Sequence, residues 1–539
     1  MDVKRSFFAP LSHSAYRNIW LANVASNFGG IIQGVGAAWM MTSITSSESM
    51  VALVQACTTL PIMLFSVVAG AIADNYERRS VMLVAQTFML AVSIVLTVTA
   101  YAGWITPWSL LCFTFLIGCG TALNNPSWQA SVGDMVPRDD VSGAVTLNSV
   151  GFNLTRSLGP AVGGAIVAFG GAAAAFVANA CSYIALIAAL LVWRPSRRGT
   201  TLPREELGPA IAAGLRYVLM SPNLLKVFVR GFLFGVSAIA VLALMPVVAR
   251  DVVGGGPLEF GLLLGGFGLG ALGGAYLNTA IRDMMTSETI IRCSFAGFAV
   301  SEAVIAATGN TFVITLAVLA GGICWVLALS LFNTIVQLST PRWVVGRAVS
   351  FYQMATFGGM AAGSWLWGGL AEAHGVNFAM SAASAVAAGG LLLGWLLQMP
   401  QLASLDLDPL NMFREPELNL EILPRSGPIA VHVVYEIRDG DVSEFLELMV
   451  ERRRMRIRDG AKAWALMRDL VNPKRWIETY HTPTWVDYVR HNSRRTNADA
   501  ENLQRLRELH QGGDRPDVYR MIERQVIPPV GDIFHQPHI

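Results

Sequence analysis

Long apolar runs, separated by short polar connections, occupy roughly the first 400 positions of the chain. Each run is about 20 residues or longer, which is enough for a helix to cross the hydrocarbon core of a bilayer. The pattern predicts twelve membrane-spanning helices, at residues 18–43, 50–73, 80–102, 107–125, 143–169, 172–193, 226–249, 258–280, 288–308, 312–333, 346–370 and 376–398. This part of the chain is therefore expected to have the all-α class of a polytopic membrane protein.

A polar connection at residues 194–225 divides the spans into two sets of six, within residues 1–193 and 226–399. Arginines gather in alternate connections, among them Arg78, Arg79, Arg194 and Arg282, whereas the opposite connections contain essentially only Arg250. By the positive-inside rule, both termini and the middle connection are expected on the cytoplasmic side. Residues 204–219 of that connection are interpreted either as an amphipathic helix along the membrane surface or as a simple linker.

The composition supports the membrane assignment, because 53% of the residues are hydrophobic and only 14% are charged. A soluble globular chain is excluded on these values. The net charge of +2 is spread over short loops, so no nucleic-acid partner is expected. The six cysteines lie in apolar runs without metal-ligand spacing, and we expect neither a metal site nor a cofactor.

The pattern changes after the last apolar run. Residues 400–428 are rich in Pro, Leu and Asp without helical period, which predicts an extended tether. Residues 429–526 alternate strand-like and helix-like patterns and predict a small α+β domain. Its expected strands are 429–437, 461–470, 475–483 and 517–526, its expected helices are 443–460, 484–491 and 498–510, and residues 527–539 are expected to be irregular.

The stretch Gly151–Gly171 contains polar and small residues inside an apolar run. Its block Gly159, Pro160, Gly163 and Gly164 removes side-chain bulk, so a neighbouring helix can approach closely, and the proline bends the helix. Arg156 lies midway along the span, where an arginine costs about 2.5–3.5 kcal/mol on insertion scales. A tight structural crossing explains the glycines well and explains Arg156 less well.

The same stretch recurs near residue 350. Aligning Pro137 with Pro341 places Gly159 on Gly363, Gly164 on Gly368 and Gly171 on Gly375. An internal duplication of this kind is typical of transporters, which bind their substrate between the two halves.

Polar residues at helical spacing mark a candidate translocation path. Arg156 is the foremost candidate, because its guanidinium favours carboxylate, phosphate or catecholate groups in a low-dielectric cavity. Buried amides that bond across helix contacts are the alternative interpretation of the others. The candidate substrate-binding residues are Arg156, Asn153, Ser149, Asn23, Asn27, Gln55, Gln353 and Thr356, together with Gly30 and Gly34 on the face of span one.

The connection between spans two and three carries Asp74, Arg78 and Arg79. An acid at the end of one helix and arginines at the start of the next can hold two helices together by charge. With Gly159, Pro160, Gly163 and Gly164, these residues are the candidate gating set. An ordinary charged turn is the alternative interpretation.

These features together resemble the major facilitator superfamily, whose loop signature is Gly-x-x-x-Asp-Arg-x-Gly-Arg-Arg. Gly70, Asp74, Arg78 and Arg79 match it, while Asn75 and Glu77 depart from it. The Gly159–Gly164 block looks like the fifth-helix motif of exporters in that superfamily. The resemblance implies a twelve-helix fold of two pseudo-symmetric halves and secondary active transport by alternating access. The arginine that proton-driven members often carry in span four is absent, so proton antiport lacks one of its usual supports. Glu302 of span nine is the candidate proton carrier, and the alternative interpretations are an interface residue or a partner for a nearby polar group.

At finer grain, Ala122–Ala130 and Asn153–Pro160 resemble the branch called transmembrane secretion effectors, which includes bacterial enterobactin exporters. The resemblance implies export of a small, siderophore-like or drug-like molecule across the bacterial inner membrane, and Arg156 adds the expectation that this molecule is anionic. Proton antiport is the expected energy source. The small molecule and the lipid bilayer are the expected partners.

Residues 429–526 resemble antibiotic-biosynthesis-monooxygenase-like domains, which are ferredoxin-like units that pair into a dimeric α+β barrel. The resemblance rests on Arg458–Trp464, Arg468-Asp469 and Thr484–His491. His491 falls near the histidine of haem-degrading members, whose Trp and Asn are not matched, so no catalytic residue is assigned and no enzyme is expected. The resemblance implies a homodimer through this domain. The alternative functions are a membrane-tethered oxidoreductase and a ligand sensor.

Overall fold

The computed structural model of the chain describes residues 9–137, 140–194, 207–341, 343–400, 410, 413, 415–513 and 515–523. The expected irregular segment 527–539 and residues 401–409, 411, 412 and 414 of the expected tether 400–428 lie outside these residues. The described residues form two units. One takes in Met1–Glu205, Lys226–Ile335 and Val349–Gln401, and the other takes in Glu206–Leu225, Val336–Ala348 and Leu402–Ile539.

The first unit is a helical bundle, as the apolar runs predict. The helices of residues 9–400, of which α6 belongs to the second unit, are α1 Ser14–Ile44, α2 Glu48–Asn75, α3 Arg78–Tyr101, α4 Pro107–Met135, α5 Val141–Val192, α6 Leu207–Leu219, α7 Pro222–Val247, α8 Pro257–Met284, α9 Ser287–Ala307, α10 Thr311–Leu338, α11 Val345–His374 and α12 Val376–Leu396. We call the end of the bundle where α1 ends and α2 begins the Glu48 end. The opposite end, where α2 ends and α3 begins, is the Arg78 end.

Gly171 divides the long helix α5 into two spans. Its backbone has φ of 75° and ψ of 170° inside an otherwise helical run, a conformation that only glycine adopts easily. Gly375, its counterpart in the internal repeat, precedes α12 with φ of 87° and ψ of 157°. Both repeats therefore break at the same place, and the bundle has six spans in each half among the described residues.

Nine helices of the described residues are long and apolar enough to be membrane-span candidates on composition, and α5 counts once among them. The helices α1 and α11 are long enough but more polar, because they carry Asn23, Asn27 and Gln353. Helix α4 continues ten residues beyond its expected end at 125, to Met135. The polar residues Ser127 and Ser131 of that extension are buried, so packing against other helices maintains the helix past Pro126.

The second unit contains the α+β domain that the alternation predicts. Its elements are β1 Ile429–Glu436, α13 Val442–Asp459, β2 Lys462–Arg468, β3 Arg475–Thr482, α14 Trp485–Ser493, α15 Ala500–Leu509 and β4 Asp517–Ile522. The sheet order is β2-β3-β1-β4 with antiparallel neighbours, the βαββαβ arrangement of ferredoxin-like folds. Gly460, in a left-handed conformation with φ of 119°, ends α13.

The core of this domain lies between one sheet face and the helices. Alternate residues of β1 and β3 point to the same face, and Val431, Tyr435, Trp476 and Tyr480 are buried there with Phe445 of α13. Aromatic side chains bury large areas, which stabilises a domain of this small size.

Helix α6 and the loop before α11 belong to the same unit as this domain. The Arg458 guanidinium carbon lies 5.9 Å from the ring centroid of Tyr217 in α6. The guanidinium carbon of Arg494 lies 4.0 Å from the ring centroid of Trp343. The rings of Trp343 and Tyr217 meet edge-on, with their centroids 5.8 Å apart. The residues 207–219 are thus helical, as the first of the two interpretations expects, while residues 204–206 lie outside the described part.

Candidate functional site

Arg156 lies where the two halves of the bundle cross. Its carbonyl oxygen, on the first part of α5, would be 2.6 Å from a Cβ placed on Gly268 of α8. Its guanidinium carbon lies 5.4 Å from the ring centroid of Trp325 on α10. Among the described residues, no carboxylate forms a salt bridge with Arg156. The guanidinium therefore retains hydrogen-bond donors for an anion.

Trp325 belongs to an aromatic cluster that sequence analysis did not identify. Its ring meets Phe267 edge-on at 5.8 Å and lies 6.2 Å from Phe298 and 6.3 Å from Phe234. Aromatic faces attract cations, and an apolar wall strengthens electrostatic interactions beside it. Trp325 lies 169 positions from Arg156 in the chain, so only packing could pair them.

The other polar candidates lie in different surroundings. On α1, a Cβ placed on Gly30 or Gly34 would meet no atom within 4 Å, so this face is open. Asn27, Gln55 and Gln353 are half-buried, Asn23 is buried, and Ser149 is exposed. Thr356 is buried against α7, where its Oγ1 would lie 3.0 Å from a Cβ on Gly231. The side chain of Asn153 lies outside the described part.

The glycines of the 159–164 block serve two different contacts. Gly159 and Gly163 face α1, where an added Cβ would lie 2.8 Å from Ile31 and 3.2 Å from the Cα of Ile32. Gly164 faces α8, and its added Cβ would lie 2.7 Å from the Cα of Gly261. The carbonyl oxygen of Pro160 is also close to Gly261, at 3.0 Å from its added Cβ. The block thus holds α5 against its own half and against the other half at once.

Arg78 pairs with an acid on another helix. Its Nη1 donates to Asp134 Oδ2 at 2.8 Å and to the carbonyl of Ala130 at 2.8 Å, both on α4. Arg79 donates to the carbonyl of Leu190 near the end of α5. The side chain of Asp74 lies outside the described part. Asp134 was not among the sequence candidates, because it is 56 positions away.

Glu302 on α9 is fully buried. Neither of its carboxylate oxygens has a hydrogen-bond partner among the described residues. The neighbouring Ser301 donates to the carbonyl of Ala317 on α10, which places this turn of α9 inside the second half. Burying an unpaired charge is costly, so the position suits a carboxyl group that carries a proton.

A charge cluster near the Arg78 end was also missed, although an arginine in an apolar run is a visible signal. The Arg230 side chain is fully buried and donates to Glu288 Oε2 at 2.6 Å. Arg292 donates to the other oxygen of Glu288 at 2.8 Å. Gly394 leaves room for this cluster, since its added Cβ would lie 2.5 Å from Glu288 Oε1. The cluster joins α7, α9 and α12.

His491, the tail histidine singled out by resemblance, takes part in a buried polar network. Arg456 donates to its Nε2 at 3.0 Å and to Glu478 Oε1 at 2.9 Å. Burial alone would raise the pKa of Glu478, but the guanidinium groups of Arg456 and Arg452 lower it to about 2. Burial and the charge of Arg456 hold the pKa of His491 well below its usual range. The ring is therefore neutral and accepts at Nε2.

Comparisons with known proteins give a matching family and similar transporters. The model of a family described as "Transmembrane secretion effector" matches residues 5–526, so the C-terminal domain lies within the match. The enterobactin exporter EntS of Citrobacter koseri is 27% identical over 75% of this chain and 94% of its own length. The staphyloferrin A transporter of Staphylococcus aureus is 26% identical over 44% of this chain, and the match spans only 59% of that protein.

A solved structure shows the same fold in the membrane part. It is a bacterial homologue of the human lysosomal transporter Spinster in an inward-facing, unoccupied conformation. It superposes with a TM-score of 0.58 at 13% identity and covers 72% of this chain and 97% of its own. The twelve-helix arrangement expected from the sequence is thereby confirmed as a fold.

Proposed function

Because this chain belongs to the transmembrane secretion effector family, we propose that it exports a small anionic, siderophore-like or drug-like molecule. It is a multi-pass membrane transporter of the major facilitator type, and its relatives include siderophore exporters. The observation that carries the proposal is Arg156, a cation at the crossing of the two halves without a salt-bridge partner among the described residues. Such a group favours an anionic substrate.

The substrate is released by rocking of the two halves. In the structure the halves meet at the Glu48 end, where Arg250 donates to the carbonyl of Thr42 and Ser47 donates to Glu372. Trp39 and Phe260 stack there at 6.2 Å. These contacts break when the path opens at that end, and the gating residues Asp74, Arg78 and Arg79 act at the other.

Proton antiport supplies the energy, with Glu302 as the carrier. Its support is the unpaired, buried carboxyl group of Glu302 among the described residues. The sidedness follows from the loop arginines, which put both termini and the Arg78 end in the cytoplasm of a bacterial cell. The Glu48 end then faces outward.

The C-terminal domain pairs with a second copy of itself. The sheet face opposite its helices carries the residues Met467, Tyr519 and Met521, which are 47%, 48% and 53% exposed. In a cysteine-free background, Tyr519→Cys should form a disulfide dimer, whereas Glu447→Cys on α13 should not. Equal dimer yields from both variants would contradict a pairing through the sheet.

Export is tested by accumulation in cells with and without the protein. The panel comprises catecholate and hydroxycarboxylate siderophores and an uncharged drug, each measured with and without an uncoupler of the proton gradient. We expect lower accumulation of at least one anionic compound, with the difference abolished by the uncoupler. Equal accumulation of all anionic compounds would contradict the proposal, and a difference that survives the uncoupler would contradict proton antiport alone.

A further inference from the structure

The C-terminal domain contains a cavity of about 1090 Å³ between its sheet and its helices. Drug-sized ligands occupy pockets of roughly 300–1000 Å³, so the cavity is large enough for a whole metabolite. Its walls come from β1, β3, β4 and the helices α13, α14 and α15. The site lies entirely within the second unit, to which Arg156 does not belong.

The cavity is lined by an excess of positive charge. Of its described lining residues six are arginines and none is acidic; they are Arg452, Arg456, Arg495, Arg507, Arg515 and Arg520. Two of these arginines form salt bridges with the same acid, Glu478. The Nε atom of Arg456 lies 2.9 Å from Glu478 Oε1, and the Nε atom of Arg452 lies 3.7 Å from Glu478 Oε2. One carboxylate is therefore shared by two of the six cations, and its single negative charge balances only one of them.

Several of these guanidinium groups have donors to spare. Arg452 is 6% exposed, and its Nε has no hydrogen-bond partner among the described residues. Arg495 donates to the neutral amide of Asn492. Burial, followed by the charges of Arg456 and Arg452, lowers the pKa of Arg495 to about 10, so crowding of cations is costly here. An anion in the cavity would relieve that cost.

Aromatic and aliphatic side chains form the rest of the wall. The Arg456 guanidinium carbon lies 4.2 Å from the ring centroid of Tyr480, and Arg520 donates to the hydroxyl of Tyr488 at 2.6 Å. Phe413 meets Tyr488 edge-on at 6.0 Å. Rings held in this way offer stacking surfaces to a flat ligand, while the guanidinium forks offer paired donors to its acid group.

We propose that this cavity binds an organic anion with a carboxylate or phosphate group and a flat or otherwise apolar body. The ligand is either the transported compound or a separate metabolite, since both sources supply this chemistry. The inference does not depend on the direction of transport.

The test is calorimetric titration of the full chain in lipid nanodiscs. The probes are 2,3-dihydroxybenzoate, citrate, inorganic phosphate and the uncharged analogue catechol. We expect 2,3-dihydroxybenzoate to bind saturably. Catechol should bind with an affinity at least about tenfold lower, because it lacks the charge that the arginines recognise. No saturable binding of any anion at millimolar concentration would overturn the proposal.

Variants locate the binding. Arg507→Gln and Arg452→Gln should each weaken binding of 2,3-dihydroxybenzoate about tenfold. Arg507 forms no ion pair among the described residues, so its replacement should leave the fold intact. Arg454→Gln, on the exposed side of α13, is the matched control and should bind as the wild type does. Unchanged affinity in both cavity variants would overturn the proposal.

The same titration in the Arg156→Gln background separates the two sites. Binding that persists there and is weakened by Arg507→Gln belongs to the cavity. Binding that is lost with Arg156→Gln alone belongs to the membrane site and overturns the cavity proposal without touching export. In cells, loss of export of the bound compound by Arg507→Gln would identify the ligand as the transported compound, and unchanged export as a separate metabolite.

Discussion

Gly164 and Gly261 meet through their backbones, so that a Cβ on either residue would lie 2.7 Å or 2.6 Å from the Cα of the other. The contact joins α5 of the first half to α8 of the second. Gly368 of α11 is the repeat counterpart of Gly164 and makes a similar contact with α2. A Cβ added to Gly368 would lie 3.0 Å from the Cα of Ser49. The two halves therefore touch at equivalent positions of the repeat, each with a glycine on the fifth or eleventh helix.

Replacing Gly164 should separate these helices. Gly164→Ala places a methyl group against backbone atoms that cannot rotate away, and overpacking of this kind costs about 1–3 kcal/mol. We expect the export rate to fall about tenfold with unchanged amounts of protein in the membrane. Gly273→Ala on α8, whose Cβ would meet only Ile323 at 4.0 Å, is the control. Similar losses in both variants would argue against a special role of the crossing.

Arg156 and Trp325 should contribute unequally to transport. Arg156→Ala should abolish efflux without loss of expression, since a charged hydrogen bond is worth about 1.5–3 kcal/mol and more than one is expected. Trp325→Leu removes only a cation–π contact of about 0.5–2 kcal/mol, so kcat/KM should fall severalfold. Arg17→Ala, at an exposed position of α1, should have no effect. Wild-type efflux by Arg156→Ala would exclude it from the substrate path.

The Arg78–Asp134 salt bridge should show energetic coupling. Each group is about one-third exposed, so the pair should be worth about 1 kcal/mol or less. Transport rates of Arg78→Gln, Asp134→Asn and the double variant form a double-mutant cycle, and we expect losses that are not additive. Asp74→Asn should impair turnover more than binding. Additive losses would show that Arg78 and Asp134 act independently.

The C-terminal domain should lose stability in mild acid. His491 is neutral in the folded state with its pKa held well below the usual range, whereas the unfolded chain has a pKa near the ordinary value of about 6.5. Below that pH the unfolded state binds a proton that the folded state does not. The free energy of unfolding should therefore fall as the pH falls, by up to about 1.4 kcal/mol per pH unit.

Calorimetry of the full chain between pH 7.5 and 5.5 measures this effect. The domain's transition is identified by its absence from a chain that ends at residue 400. His491→Asn should flatten the pH dependence, and His432→Asn, outside the Arg456 network, should not. A slope that His491→Asn leaves unchanged would place the titrating group elsewhere.

Much of the fold follows from local patterns in the sequence. Apolar runs predict the spans, alternation predicts β1 to β3 closely, and the repeat register predicts that Gly171 and Gly375 are equivalent. The span expected at 107–125 ends ten residues before α4 does, because the burial of Ser127 and Ser131 depends on tertiary packing, which hydrophobic periodicity and helix propensity do not predict.

The candidate site was only partly predictable for the same reason. Arg156 is conspicuous in an apolar run, but its partner Trp325 lies in an ordinary aromatic position of α10. Asp134 and Arg230 acquire their roles from partners 56 and 58 positions away. The arginines of the tail cavity lie on two helices, a strand and two connections, and only the fold brings them together.

The central claim is tested most directly with purified protein in proteoliposomes. Labelled catecholate and hydroxycarboxylate siderophores are offered to wild-type and Arg156→Ala protein with an imposed pH gradient. The account predicts gradient-dependent movement of at least one anionic compound by the wild type and none by Arg156→Ala. Equal transport by the two proteins, or movement of uncharged compounds alone, would contradict it.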